Sequence, residues 1–166
     1  MKIRDAINQI EKSIVNPTAG LPEEVFYFVS RITPLINVDL LIKNSQGETL
    51  LTWRADNYGP PGWHIPGGII RYKETMKERI TAVAKNELNV EVKYAPLPLA
   101  INEIILERKD RGHFISLLYG CQLVTPLDEK QHCLNVDSPK NNEWLWHKGC
   151  PKNIIPVHDE IYGKYL

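Results

Sequence analysis

Gly67-Gly68-Ile69-Ile70-Arg71-Tyr72-Lys73-Glu74-Thr75-Met76-Lys77-Glu78-Arg79-Ile80-Thr81-Ala82-Val83-Ala84-Lys85-Asn86-Glu87-Leu88-Asn89-Val90 reads as a glycine loop running into one helix. Thr75-Met76-Lys77-Glu78 is a capping box, which places Thr75 at the helix N-cap. At about 100° per residue, Met76, Ile80, Val83 and Ala84 fall on one narrow apolar stripe, and Glu78, Lys85 and Asn86 point away from it. Glu87 also falls inside the stripe, about 20° from Met76 on ideal helix geometry. A carboxylate facing a core is costly unless a cation meets it. In the last turn it also opposes the helix dipole, by roughly 0.3–1 kcal/mol. Both costs are removed if Glu87 binds a metal ion at the core's edge; a Lys or Arg partner, or an escape to solvent, is the other solution.

Trp63-His64-Ile65-Pro66 leads into the glycine pair, and the whole passage resembles the Nudix hydrolases. Their box runs Gly, five residues, Glu, seven residues, Arg-Glu-aliphatic-any-Glu-Glu-any-Gly-aliphatic. Gly68, Glu74, Ala84, Glu87 and Val90 stand at matching positions, while Ala82, Val83, Asn86 and Asn89 depart from it. GDP-mannose mannosyl hydrolases, a branch that cleaves at the sugar carbon, likewise keep only the last acid of the box. The resemblance implies an α+β domain with a mixed β-sheet between helices. It also implies Mg²⁺ as cofactor, with Glu87, Glu74 and the Gly68 carbonyl as metal ligands, and a nucleoside-diphosphate sugar as substrate. Ordinary Nudix cleavage of a P–O–P bond and a non-catalytic nucleotide-sugar binding module are the alternatives.

At 166 residues and 43% hydrophobic, the chain has enough length for one sizeable core. Lys plus Arg and Asp plus Glu number 20 each, so charge gives no case for nucleic acid or an anionic membrane. The start Met-Lys-Ile-Arg-Asp lacks a signal-peptide core, and no apolar run approaches the ~20 residues that span a bilayer. Three scattered cysteines, Cys121, Cys133 and Cys150, fit neither a zinc pattern nor a disulfide framework, which makes a reducing cytoplasm the expected setting.

Ile3, Ile7, Ile10 and Ile14 sit at helical spacing, Asn16-Pro17 and Gly20 break the chain, and Pro22 with Glu23-Glu24 opens a second helix through about Ile32. Residues 1–33 are therefore expected to be a helical extension packed on a Nudix domain of residues 34–166. The density of Val25-Phe26-Tyr27-Phe28-Val29 exceeds what one helix face needs, and points to a homodimer.

Leu35 to Lys43 reads as a strand, Ser45 to Glu48 as a hairpin turn, and Leu50 to Arg54 as the returning strand. Asp39 is out of place in that apolar run: it is either a pair-satisfied carboxylate or, by resemblance, a catalytic group beside the substrate. By the same resemblance Arg54 neutralises the departing diphosphate and His113 binds substrate. Asn57 to Gly62 is expected to form a loop beside the site, and Arg71 could meet phosphate in place of the missing box arginine.

Val90 to Val92, Leu97 to Leu106, His113 to Cys121 and Glu143 to His147 read as strands, with a terminal helix over 158–165. The polar stretch 125–142 is long for a compact domain, and such loops are usually functional or mobile. It carries Gln131-His132, a pair that in the mannosyl hydrolases supplies a metal ligand and the general base. There the pair lies close to a tryptophan strand; strict register here falls on Lys140 and Asn141 instead. His132, Glu143, or neither is the base.

Overall fold

The computed structural model describes residues 2–56 and 59–166. Helix α3 (Met76–Leu88) starts where the capping box sets it: Thr75 Oγ1 accepts from the Glu78 N–H, and Glu78 Oε2 accepts from the Thr75 N–H. It stops at Asn89, whose φ of 55° is left-handed. Asn adopts that conformation more readily than most non-glycine residues, so the box glycine can be replaced without losing the stop. The helix buries Ile80, Val83, Ala84 and Leu88. Met76, expected on the stripe, lies 47% exposed, and Arg79 is buried instead. The exchange has a direct cause: Arg79 Nε and Nη2 lie 2.9 and 2.7 Å from Glu74 Oε2, which satisfies the guanidinium at the helix's inner face.

The extension forms α1 (Ile3–Ser13) and α2 (Glu23–Ser30), and α2 anchors through Val25 and Ser30. Strands follow as β1 (Leu35–Ile42), β2 (Thr49–Arg54), β3 (Gly62–His64) and β4 (Gly67–Ile69) before α3. After it come β5 (Val92–Tyr94), β6 (Ala100–Ile105), β7 (His113–Leu123), β8 (Trp144–His147) and helix α4 (Pro156–Tyr162). One sheet runs β4-β1-β7-β5, with β6 also paired to β7; β1 and β7 are parallel and the other pairs antiparallel. The second sheet is β3-β2-β8, all antiparallel.

The expected hairpin between β1 and β2 does not continue beyond the single bridge Lys43–Thr49; the two strands pass into different sheets. The reason is visible in β1, where Val38 through Ile42 are all buried. A strand covered on both faces belongs in a sheet's middle. Val38, Leu40 and Ile42 meet α3, and Leu41 meets Trp63, Leu118 and Tyr162 on the opposite side. The molecule is thus an α+β arrangement with a mixed sheet between helix α3 and helix α4.

The glycine stretch read as loop contributes a strand, Gly67–Ile69, laid antiparallel on Asn37–Asp39. The strand after α3 lies two residues beyond its expected start, and the terminal helix begins at Pro156. Of the expected loop 57–62, Asn57 and Tyr58 lie outside the described residues, and Gly62 begins β3. Among the described residues no helix is long and apolar enough to cross a membrane, and the three cysteines are unpaired.

Candidate active site

Strand register builds the floor of a cleft of about 600 Å³. Parallel pairing sets Asn37 opposite Ser116, and the two-residue period turns Asp39 to the same face as Asn37. Asp39 Oδ2 accepts from Asn37 Nδ2 at 2.6 Å, from the Ser116 hydroxyl, and from the Tyr162 hydroxyl brought by α4. Its other oxygen, Oδ1, lies against the Gly67 backbone, where any Cβ would collide with it. Glycine at 67 is therefore a requirement of the carboxylate. Burial pushes Asp39 up to about 6, against the lowering effect of its three donors.

Gly67 also fixes the second carboxylate. Its N–H donates to Glu87 Oε1 at 3.2 Å, and Glu87 Oε2 lies 3.7 Å from His64 Nε2. About a quarter of the Glu87 side chain is open, to the cleft it lines. Burial pushes its carboxyl up to about 8; the Gly67 N–H opposes this and the charge of Asp39 adds to it. His64 Nδ1 is 2.8 Å from the Thr52 carbonyl, and burial together with Arg54 pulls the ring down to about 4. His158, on α4, accepts the Ile65 N–H at Nδ1, and burial holds it well below the usual histidine range. Both imidazoles are thus neutral at pH 7 and neither offers Glu87 a countercharge.

Cations line the same cleft. Arg54 on β2, with Nε 3.6 Å from Asp56, lines it together with Arg108 and Arg111 of the β6–β7 turn. Arg108 lies over the Phe114 ring and donates from Nε to the Arg111 carbonyl. The turn is tied to the N-terminal extension, because the Arg111 N–H donates to Ser30 Oγ and Arg31 pairs with Asp110 at 3.0 Å.

The cleft gathers Asp39, Arg54, Gly68 and Glu87 from the residues singled out in the sequence. It does not gather the others. Glu74 is engaged by Arg79 and by the Arg71 N–H, and Arg71 lines a separate apolar cavity against the N-terminal segment. His113 lies 3.3 Å from Glu103 across β6 and β7. His132 packs its ring, tilted, against Trp144, and Glu143 accepts from the Lys140 N–H. The stricter register of that loop fares differently: Asn141 lines the cleft and accepts from the Ala55 N–H. His158, Arg108 and Arg111 carried no signal at short range, and His64 was visible only as part of the approach to the glycine pair, since strand pairing and the packing of α4 bring them in.

No three His, Cys, Asp or Glu side chains among the described residues are arranged to hold a metal unaided. Mg²⁺ does not require that: it is commonly held by one or two carboxylates together with substrate phosphates. Glu87, a mostly enclosed carboxylate with neutral histidines beside it, fits that mode, and Gly68 borders the same space.

No family model matches the sequence. Over 88 residues the chain is 33% identical to the low-salt glycan biosynthesis protein Agl8 of Haloferax volcanii, covering 53% of each chain. It thus spans about half the length of that curated relative. The crystal structure of a MutT Nudix hydrolase from Burkholderia pseudomallei is similar with a TM-score of 0.60 at 16% identity, over 75% of this chain and 92% of that one. A Nudix-family hydrolase from Clostridium perfringens gives 0.53 at 15%, over 81% and 97%. At these identities the likeness is one of fold.

Proposed function

We propose that this chain, which has the Nudix fold, is a divalent-cation-dependent hydrolase of a nucleoside-diphosphate sugar of the GDP-mannose kind, releasing the nucleoside diphosphate and the free sugar. The observation that carries the reading is the charge gathered in one cleft: carboxylates Asp39 and Glu87 together with arginines Arg54, Arg108 and Arg111. Such arginines suit a diphosphate, since guanidinium forks match phosphate oxygens. Glu87 and the Gly68 backbone would hold a divalent cation such as Mg²⁺, which when bound would supply charge neutralisation to the leaving group. Val83 and Asn86 leave the helix without the further acids that would bring a second ion to phosphorus.

Asp39 takes the proton from the attacking water through Oδ1, with Oδ2 fixed by Asn37, Ser116 and Tyr162. A carboxyl near 6 is ionised at neutral pH and remains basic enough to serve as general base. Agl8, a protein named for glycan biosynthesis, supports a sugar-bearing substrate. The test is product identity after incubation with Mg²⁺ and GDP-mannose. Free mannose with GDP is expected. Mannose phosphate with GMP would place cleavage at phosphorus, and substrate bound but unchanged would make the chain a binding module.

A further inference from the structure

We propose that His64 is a nitrogen ligand beside Glu87, so that this end of the cleft favours a borderline cation such as Co²⁺, Ni²⁺ or Zn²⁺ over Mg²⁺. The inference rests on Glu87 being a cation-holding carboxylate. Its first support is the tautomer. His64 Nδ1 is 2.8 Å from the Thr52 carbonyl oxygen, which can only accept, so Nδ1 carries the proton and Nε2 presents a lone pair. A ring N–H held by a backbone carbonyl is the arrangement that orients metal-ligating histidines.

The second support is the spacing. His64 Nε2 and Glu87 Oε2 are 3.7 Å apart, beyond any hydrogen bond. Two donors each about 2.1 Å from one ion stand this far apart when they subtend roughly 120°. Thr52 Oγ1 engages the lone pair only weakly: it is 3.5 Å from both ring nitrogens, at the outer limit of a hydrogen bond. The Glu87 carboxylate is meanwhile oriented from behind, Oε1 on the Gly67 N–H and Oε2 toward His64. Both donors are thus fixed before any ion arrives.

The third support is donor chemistry. Mg²⁺ takes oxygen ligands, whereas imidazole nitrogen suits the later first-row ions. One nitrogen and one carboxylate leave further positions for backbone and diphosphate oxygens, in keeping with the absence of a complete protein cage among the described residues.

The test is calorimetric titration of the metal-stripped chain with CoCl₂ and with MgCl₂, without substrate. Wild type should bind Co²⁺ the more tightly. His64→Asn should weaken Co²⁺ by at least about 10–100-fold, the loss typical of disturbing even a ligand's supporting partner, and Mg²⁺ by less than about threefold. Glu87→Gln should abolish binding of both. Should His64→Asn not fold, long-range ¹H–¹⁵N spectra of wild type with Zn²⁺ replace it: the His64 Nε2 resonance should move and Nδ1 stay protonated. Unchanged Co²⁺ affinity in His64→Asn, or an unmoved Nε2, overturns the nitrogen ligand and leaves Glu87 as a metal residue. Wild type that binds none of these ions removes the reading of Glu87 itself.

Discussion

Removing the charge at Glu87 separates its cost from its use. With the carboxyl raised to about 8, ionising it weighs against the fold increasingly from its ordinary 4.5 up to 8, and fully above that. Glu87→Gln should therefore melt higher than wild type at pH 9 without metal, by roughly 2–4 kcal/mol of stability, while losing cation-dependent turnover. A variant with wild-type turnover would contradict the assignment. Asp39 follows the same sign in a lower window. Its folded-state value of about 6 exceeds the ordinary 3.8, so the stability it lends is complete below about pH 4 and is lost as pH rises through 6. Asp39→Asn should gain roughly 2–3 kcal/mol over wild type at pH 8 and almost nothing at pH 4, read from melting temperature against pH. Equal melting of the two proteins across that range would contradict it. Both carboxylates were legible in the sequence for one reason, that each interrupts an apolar period. Arg71 and His113 were equally visible as charged or titratable side chains, but sequence spacing carries no direction. Only the folded chain shows that they point away from the cleft and that Arg108 and Arg111 point into it.

Elements were legible where their signals are local. The capping box fixed α3 to the residue, and Asn89 stops it through a left-handed backbone. Asn89→Ala should cost about 1 kcal/mol and Asn89→Gly almost nothing, measured by urea unfolding. Equal losses in both would mean that the side chain and not the backbone matters. The β1–β2 hairpin was misread because a turn signal says nothing about whether its strands stay paired; the covering of both β1 faces decides that. The β6–β7 turn shows a third kind of information, long-range support. Ser30 accepts the Arg111 N–H, so α2 holds the arginine-bearing turn in place. Ser30→Ala should raise KM for a diphosphate substrate by about 3–10-fold, with a smaller effect on kcat, because ground state and transition state share the diphosphate contact. An unchanged KM would confine α2 to packing.

At the scale of the molecule, the N-terminal extension remains under-packed. Helix α1 buries no residue, and Ile3 and Ile7 are exposed at 80% and 48%. Apolar side chains on one helix face are better covered than left in water, so a dimer joined near the extension is expected, and sedimentation at micromolar concentration should find it. A monomer there would contradict the expectation. The layered fold could be anticipated because a sandwich follows from a few strong periods plus a resemblance. The cleft's chemistry could not, because it joins β1, β3, α3, α4 and the β6–β7 turn. In the function proposed above, those elements assemble a site with one helix carboxylate for a cation and a separate buried carboxylate for water. The direct test is hydrolysis of GDP-mannose in ¹⁸O-labelled water, followed by mass spectrometry of both products. Attack at the sugar carbon places the label in the released sugar and leaves the nucleoside diphosphate unlabelled, which is the predicted result. Label in a phosphate group would show that water reaches phosphorus, and would contradict the roles given to Asp39 and Glu87.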